Sequence, residues 1–204
     1  MAEGNIVVTA GSGVAIHSNT RTISSTTMHD QYVLPGEFAY ASYIASTTSI
    51  SIATANSHVI QLMASSSLNV RVRRIRLEQS GNATTGVVCA FQLFRLSTAG
   101  TGGSAITPAP FDTADSASGA TAQTLPSAKG TETTMLMQTQ LVMRQAVSAT
   151  GAQVDDAYEW YQLPGTKPIV IPAGTSNGLA LKVINATAGA TVTVSIEFIE
   201  TSFI

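Results

Sequence analysis

Two groups of side chains in this sequence have the residue types that chemistry requires, and the first is acidic and aromatic. Asp155–Asp156 and Glu159 lie beside Tyr158 and Trp160, and paired carboxylates next to aromatic rings are what a glycosidase cleft needs. These carboxylates are adjacent in sequence rather than brought from separate strands, and a solvated turn before a strand with one core Trp explains them fully. We therefore predict no catalytic residue here and keep Tyr158, Trp160 and Tyr161 as an alternative sugar-binding set.

The second group is basic. Arg71, Arg73, Arg74 and Arg76 fall within one strand-length run, and Arg95 lies in the next such run. Guanidinium groups can bind phosphate, but the aromatic platform of single-strand nucleic-acid binders is missing beside them. The planar guanidinium fork also suits ion pairs at interfaces. We predict that these arginines pair with carboxylates of a neighbouring subunit and that the protein does not bind nucleic acid.

The sequence contains no pattern typical of a nucleophile, a phosphate loop or a metal site. His17, His29 and His58 have no Cys or carboxylate spacing around them that would complete a ligand set. The single Cys89 lies in an apolar run and is expected to be a small buried hydrophobe. We predict that the protein is not an enzyme and takes no metal or cofactor.

Composition points to an assembled protein. Charged residues make up 11% of the 204 residues and the net charge is -2, whereas an ordinary globular domain has about 25% charged residues. A weakly charged surface has little repulsion to oppose close packing against neighbours. The small net charge gives no general attraction to nucleic acid or anionic membranes. With no signal segment and no apolar run of membrane-spanning length, we expect a protein that is soluble when made.

Two apolar runs form the centre of the predicted fold. Leu68–Leu77 and Gly86–Leu96 are rich in β-branched and aromatic residues and are joined by a polar turn, which predicts a β-hairpin in the middle of a sheet. The apolar phase of the first run shifts at Arg73-Arg74, which predicts a β-bulge. The second run is apolar on both faces from Val87 to Phe91, which predicts burial on both sides or a subunit contact.

The N-terminal stretch differs from the rest of the chain. Residues 1–36 are polar and rich in Ser and Thr, with one short apolar piece formed by Ile6, Val7 and Val8. Such a stretch cannot bury enough surface to fold alone. We predict an extended N-terminal arm that is ordered by contact with something else.

Residues 37–204 are predicted to form one all-β domain. Short apolar runs separated by turn signals, of which the alternating Thr191–Phe198 is the clearest, predict an antiparallel β-sandwich, with a jelly roll as the specific topology. Met135–Met143 has no clean period, so a strand and a short helix both remain open. The low-complexity passage at residues 97–134 is predicted to be a long surface loop with Phe111 as its anchor.

A resemblance is carried by three stretches: VRVRRIRLEQSGNATTGVVCAFQLFRLSTAGTGGSAITPAPFDTADSASGATA, the closing KPIVIPAGTSNGLALKVINATAGATVTVSIEFIE and the arm AGSGVAIHSNTRTISSTTMHDQYVLPG. The first two resemble small β-rich virion structural proteins of tailed bacteriophages, and the third is similar to segments that precede such domains. The resemblance implies a head decoration, or cement, protein. It further implies a sandwich domain that clusters around a local symmetry axis of the capsid, often as a homotrimer, while the arm reaches over neighbouring subunits.

On this resemblance we expect a virion protein, made in the cytoplasm of the host bacterium, that binds the outer capsid surface and stabilises the phage head. Its expected partners are the major capsid protein and further copies of itself, with Ile6, Val7, Val8 and the arginines as contact residues. The alternative that remains open is a tail, fibre or baseplate component that binds host-surface glycan through the aromatic set.

Overall fold

Strands are the regular secondary structure of the described part of this chain. The computed structural model describes residues 18–23, 26–31, 40–145 and 157–202, of which about 57% lie in strands and none in a helix. These ranges therefore contain no helix able to cross a membrane. In chain order the strands are β1 (Ser18–Ile23), β2 (Thr26–Gln31), β3 (Ser42–Ser46), β4 (Ile50–Ser51), β5 (His58–Met63), β6 (Asn69–Gly81), β7 (Val87–Leu96), β8 (Ser104–Ile106), β9 (Ala109–Pro110), β10 (Thr121–Thr124), β11 (Glu132–Met143), β12 (Ala157–Tyr161), β13 (Ile169–Ile171), β14 (Gly178–Val183) and β15 (Thr191–Thr201).

The chain divides into two units, Met1–Ala39 and Tyr40–Ile204. In the first unit β1 and β2 pair as an antiparallel hairpin. The extended arm predicted for residues 1–36 is therefore not confirmed, because backbone groups in the described part pair with each other. The apolar piece at residues 6–8 lies outside the described residues.

Two antiparallel sheets make up the second unit. One has six strands in the order β11-β7-β14-β5-β10-β8, and the other has the order β12-β6-β15-β3-β9, with β13 beside β6 and β4 beside β15. Both sheets contribute to one cluster of buried apolar side chains, with Ile60 and Phe91 from the first sheet and Ile75 and Phe198 from the second. At roughly 1.5–3 kcal/mol for each fully buried side chain, this core is the main source of stability. The predicted all-β class is confirmed, whereas the jelly-roll topology is not.

The predicted central hairpin is wrong, because β6 and β7 belong to different sheets. β6 pairs with β15, β12 and β13, whereas β7 pairs with β11 and β14. The link between them turns inward at Ala83, which is buried and donates its backbone N–H to the Arg144 carbonyl at 2.9 Å. Turn residues such as Gly81 and Asn82 signal a chain reversal, but they do not fix whether the next strand lies alongside or across the core. Because the chain passes from one sheet to the other between β6 and β7, each of these strands buries its one apolar face in the same core.

The β-bulge predicted in β6 is confirmed. Glu197 of β15 lies opposite Arg74, and the next residue, Phe198, lies opposite Val72, so that Arg73 is the extra residue. Apolar side chains on both sides of the bulge are buried as a result. One inserted residue thus keeps both halves of β6 facing the core.

The passage predicted to be a long surface loop, residues 97–134, contains β8, β9, β10 and the start of β11. Phe111 does not anchor it, since that side chain is 57% exposed. Small residues hold the passage in place instead. Ala120 is buried in the core, and a Cβ added at Gly100 would lie 2.7 Å from the Ala128 carbonyl oxygen. Low side-chain volume here permits close packing of backbone segments, a role that composition alone does not reveal.

Other strand predictions agree with the structure. The ambiguous run Met135–Met143 is part of strand β11, and over Thr191–Phe198 β15 alternates part-exposed with buried side chains. β7, however, is buried on one face only, since Cys89 and Phe91 are buried whereas Val88 is 48% exposed. The subunit contact predicted for its other face stays a prediction.

Candidate interaction surface

The arginines of β6 reach the outward side of the second sheet. The bulge and the alternation of side chains along the strand leave four arginine side chains exposed or part-exposed, namely Arg71, Arg73, Arg74 and Arg76. Carboxylates come from the same strand and its two neighbours, namely Glu78, Glu159 and Glu197. These seven residues are termed the arginine face. It carries charges of both signs.

Arg74 lies at the centre of an ion-pair network on this face. Its Nη2 donates to Glu159 Oε2 at 3.1 Å, and its Nη1 donates to Glu197 Oε1 at 3.1 Å, while Nε lies 3.0 Å from Glu159 Oε1. The hydrogen bond to Glu159 and the charge of Glu197 raise the pKa of Arg74 above its ordinary value. The three side chains are between 26% and 42% exposed, so solvent screens these pairs and they contribute little to stability.

Arg76 also has a carboxylate partner within the chain, because its Nη2 lies 2.9 Å from Glu78 Oε2. Arg74 and Arg76 are therefore already paired with carboxylates of the same chain. The pairing with a neighbouring subunit stays a prediction, and it requires Arg74 and Arg76 to share or exchange these partners. A face of alternating charges fits another protein surface of mixed charge better than it fits a polyanion.

Arg95 does not join the arginine face. It lies on β7 in the other sheet, and its Nη1 donates to the Val170 carbonyl of β13 at 2.6 Å. The sequence-based grouping of all five arginines is wrong at this position because it depended on the incorrect hairpin. Arg95 instead ties the two sheets together at one side of the core.

The aromatic set is divided between two environments. On β12, Tyr158 lies opposite Leu77 and Trp160 opposite Ile75, and both aromatic side chains pack against the core. Tyr161 is 57% exposed. These three rings therefore form no common platform for a sugar. Glu159 belongs to the Arg74 network, and residues 155 and 156 lie outside the described part of the chain.

A buried polar network lies on the side of β5 away from the main core. His58 and Gln61 are both fully buried. Gln61 Oε1 accepts hydrogen bonds from the Gly100 backbone N–H at 2.8 Å and from Gln123 Nε2 at 3.0 Å. Gln61 Nε2 lies 2.5 Å from His58 Nδ1, and His58 Nε2 lies 2.9 Å from Glu132 Oε1. The network joins three strands and the residues that follow β7.

Its connections determine the protonation of His58. Because Gln61 Oε1 accepts two N–H groups, the amide nitrogen of Gln61 faces His58 and donates to Nδ1. The imidazole proton is then on Nε2 and is donated to Glu132. Burial lowers the pKa of His58 and outweighs the opposing effect of Glu132. His58 is therefore a neutral structural residue with both nitrogens hydrogen-bonded.

Glu132 joins this network to two lysines. Its Oε2 accepts from Lys182 Nζ at 2.9 Å, and its Oε1 lies 3.3 Å from Lys129 Nζ. Burial alone would raise the pKa of Glu132, but hydrogen bonds from Lys182, His58 and Lys129 lower it from 4.5 to about 2. The carboxylate stays ionised at neutral pH and fastens the first residue of β11 to β5 and β14. The signal in the sequence was a His and a Gln three residues apart within the apolar run of β5.

A cleft of about 550 Å³ is lined mainly by hydroxyl-bearing residues. At its edge Glu200 is 8% exposed, and its two carboxylate oxygens accept the backbone N–H groups of Gly119 at 3.1 Å and Ala120 at 2.8 Å. Tyr43 OH donates to the Ser116 carbonyl at 3.0 Å. These contacts hold the segment before β10 against β15 and β3, so they give Glu200 a structural role. Within the described ranges, no three of the His, Cys, Asp and Glu residues converge on a metal site.

Comparisons with protein-family models, with curated proteins and with solved structures found no match.

Proposed function

We propose that this protein is a virion structural subunit of the head decoration type, which binds the outer capsid surface and stabilises the phage head. The proposal starts from the resemblance of its two strand-rich stretches and its N-terminal segment to such proteins. The observation that carries it beyond resemblance is an apolar strip on the outward side of β7 and β11. Val88, Met135 and Val142 in this strip are 48%, 49% and 51% exposed.

The apolar strip consists of two pairs of side chains on paired strands, with the polar pair Gln92 and Gln138 between them. Val142 lies opposite Val88, and Met135 lies opposite the part-buried Phe94. Several exposed apolar side chains on one face of a sheet are typical of surfaces that bind another protein. Removing them from water would contribute roughly 25 cal/mol for each square ångström buried. The strip is the proposed docking surface for the major capsid protein.

The arginine face is proposed as a second contact, which sets orientation rather than affinity. Its charges lie on the opposite sheet from the apolar strip, so one subunit can contact two neighbours at once. Charges of both signs on a partner can exchange with the pairs of Arg74 and Arg76, and such exchange gives specificity more than affinity. The resemblance implies that subunits cluster as homotrimers on the capsid.

Location on the particle is the first test. Purified phage particles are examined by immunogold electron microscopy, with antibody raised against the full-length recombinant chain. Label spread over the heads supports the proposal. Label confined to tails would favour the glycan-binding alternative, and particles without label would contradict both virion roles.

The docking surface is tested by rebinding recombinant protein to particles that lack it, followed by sedimentation. Val88→Asp places a charge in the apolar strip at a position that is half exposed, so folding should be kept. We expect at least a tenfold loss of binding, which corresponds to about 1.4 kcal/mol. The control is Ser104→Asp, at an exposed position of β8 in the same sheet. Equal binding by V88D and by wild type would overturn the docking role of the strip.

A further inference from the structure

The cleft beside Glu200 lies at one end of the sandwich, between the two sheets. Tyr43 of β3 and Glu200 of β15 line it from one sheet, and Thr121 of β10 lines it from the other. The links β5–β6 and β13–β14, each of which passes from one sheet to the other, add residues 65–68 and Thr175. Its volume of about 550 Å³ lies within the range of small-molecule sites, about 300–1,000 Å³.

Glu200 is a charged residue on the inward side of its strand. It has the strand parity of Phe198, which packs in the core, and it is 8% exposed. Its oxygens accept the backbone N–H groups of Gly119 and Ala120, which uses two of the roughly four acceptor positions of a carboxylate. Within the described ranges, no Lys, Arg or His lies at ion-pair distance from it. Because a buried carboxylate is costly unless a cation balances it, Glu200 brings an unbalanced negative charge to the cleft.

The other lining groups narrow the chemistry of a ligand. The described lining contains no basic side chain, so an anion finds no partner there. Its aromatic residue, Tyr43, is 2% exposed and stacks on Phe198, so it offers no open ring face to a sugar. A calcium ion takes about six to eight oxygen ligands, usually with several carboxylates among them. Glu200 is the one acidic residue of the described lining, so the site is poor for a metal ion.

We propose that this cleft binds a primary ammonium group, carried either by a small free amine or by a lysine side chain of a partner protein. An ammonium group brings the positive charge that balances Glu200, together with three N–H donors. The remaining acceptor positions of Glu200 can take these donors, as can the hydroxyl oxygens of Ser66, Ser67, Ser116, Thr121 and Thr175. The alkyl chain that carries the group is accommodated by the apolar part of the lining, formed by Ala41, Ala64, Leu68 and Ala117.

Titration of the isotope-labelled full chain with cadaverine, followed by NMR, tests the site. Cadaverine carries ammonium groups on an unbranched alkyl chain, as lysine does, and pentanediol is the neutral control of the same shape. The amide signals of Gly119 and Ala120 should shift and saturate at millimolar cadaverine, because these amides donate to Glu200. The Gln92 amide, on β7, should not shift. Equal shifts with pentanediol, or shifts with calcium chloride but none with cadaverine, would overturn the inference.

The source of the ammonium group is distinguished on phage particles that lack the protein. If excess cadaverine weakens rebinding of the recombinant chain, the group belongs to a lysine of the capsid, and if rebinding is unchanged, the site takes a free amine. Both results support an ammonium site. The inference goes beyond the proposed function and does not depend on it, since particles without label would sink that function while the titration result would stand.

Charge substitutions at the rim test the electrostatic basis of binding. Thr175 is exposed, so Thr175→Lys and Thr175→Glu should both fold. At low ionic strength, where charges are little screened, the lysine variant should weaken cadaverine binding about threefold and the glutamate variant should strengthen it about threefold. Glu200→Gln keeps the shape and removes the charge, so it should abolish saturation, with circular dichroism as the check on folding. Cadaverine affinity that is the same in both Thr175 variants would overturn the inference even if Glu200→Gln failed to fold.

Discussion

Gln61→Leu removes three hydrogen-bonding contacts from the interior of the first sheet while side-chain volume changes little. The Gly100 backbone N–H and His58 Nδ1 lose their partners, and both groups are buried. A buried polar group left without a partner costs about 1–3 kcal/mol. The loss of the Gln123 contact adds less, because that side chain is part-exposed. We expect the free energy of unfolding to fall by about 2–6 kcal/mol.

That loss is a large share of the roughly 5–15 kcal/mol that stabilises a typical domain. It corresponds to a fall in melting temperature of roughly 5–20 °C for a domain of this size. The assay is urea unfolding followed by fluorescence, with the slope checked to be unchanged so that the midpoint reports stability. Hydrogen exchange at the Gly100 amide should accelerate more than exchange elsewhere in the sheet.

Gln92→Leu is the matched control, since it makes the same change on the same sheet. Gln92 donates to Gln138 Oε1 at 2.7 Å, but this pair is exposed, so water replaces the lost contact. We expect a change within about 0.5 kcal/mol. If Gln61→Leu were no more destabilising than Gln92→Leu, the role of the buried network in stability would be refuted.

Two further predictions concern pH and the bulge. His58 has a folded pKa below its ordinary 6.5, so the unfolded chain binds the proton more readily and stability should fall as pH drops below 6.5. Glu132 should add a second loss between pH 4.5 and about 2, and urea midpoints that stay flat over both windows would contradict this. Deletion of Arg73 removes only the bulged residue and should leave a folded protein by circular dichroism. Deletion of Arg71 inverts the parity of Val72 relative to Val70 and should prevent folding. Equal folding of both deletion variants would refute the register.

The outcome for β6 shows what strand parity can predict. The change of apolar phase at Arg73 located the bulge, because side chains of a strand alternate and a shift can be absorbed only by one extra residue. The same pattern contains no information on which strand lies alongside. It therefore predicts β6 and β7 as neighbours, whereas they belong to the two sheets on either side of the core, and the predicted position of Arg95 is wrong for the same reason.

Candidate site residues were harder to predict for a related reason. Tyr158, Trp160 and Tyr161 are close in sequence, but alternation along β12 sends them to different environments. The polar network joins His58 and Gln61 to Glu132, more than 70 residues away from His58. Such a contact exists only after the sheets have formed, so no local pattern identifies Glu132 as the partner of His58.

The passage at residues 97–134 has a consequence for how this chain tolerates change. Its Gly, Ala and Ser residues look replaceable, yet a Cβ at Gly130 would collide with the Thr98 carbonyl oxygen, and one at Gly103 would meet the Thr124 carbonyl oxygen. In a saturation mutagenesis screen, these simple-looking positions should accept fewer substitutions than the large exposed side chain of Phe111. The simple composition of this passage reflects tight steric limits on side-chain size. Substitutions should therefore accumulate more slowly at its small residues than at exposed positions with larger side chains.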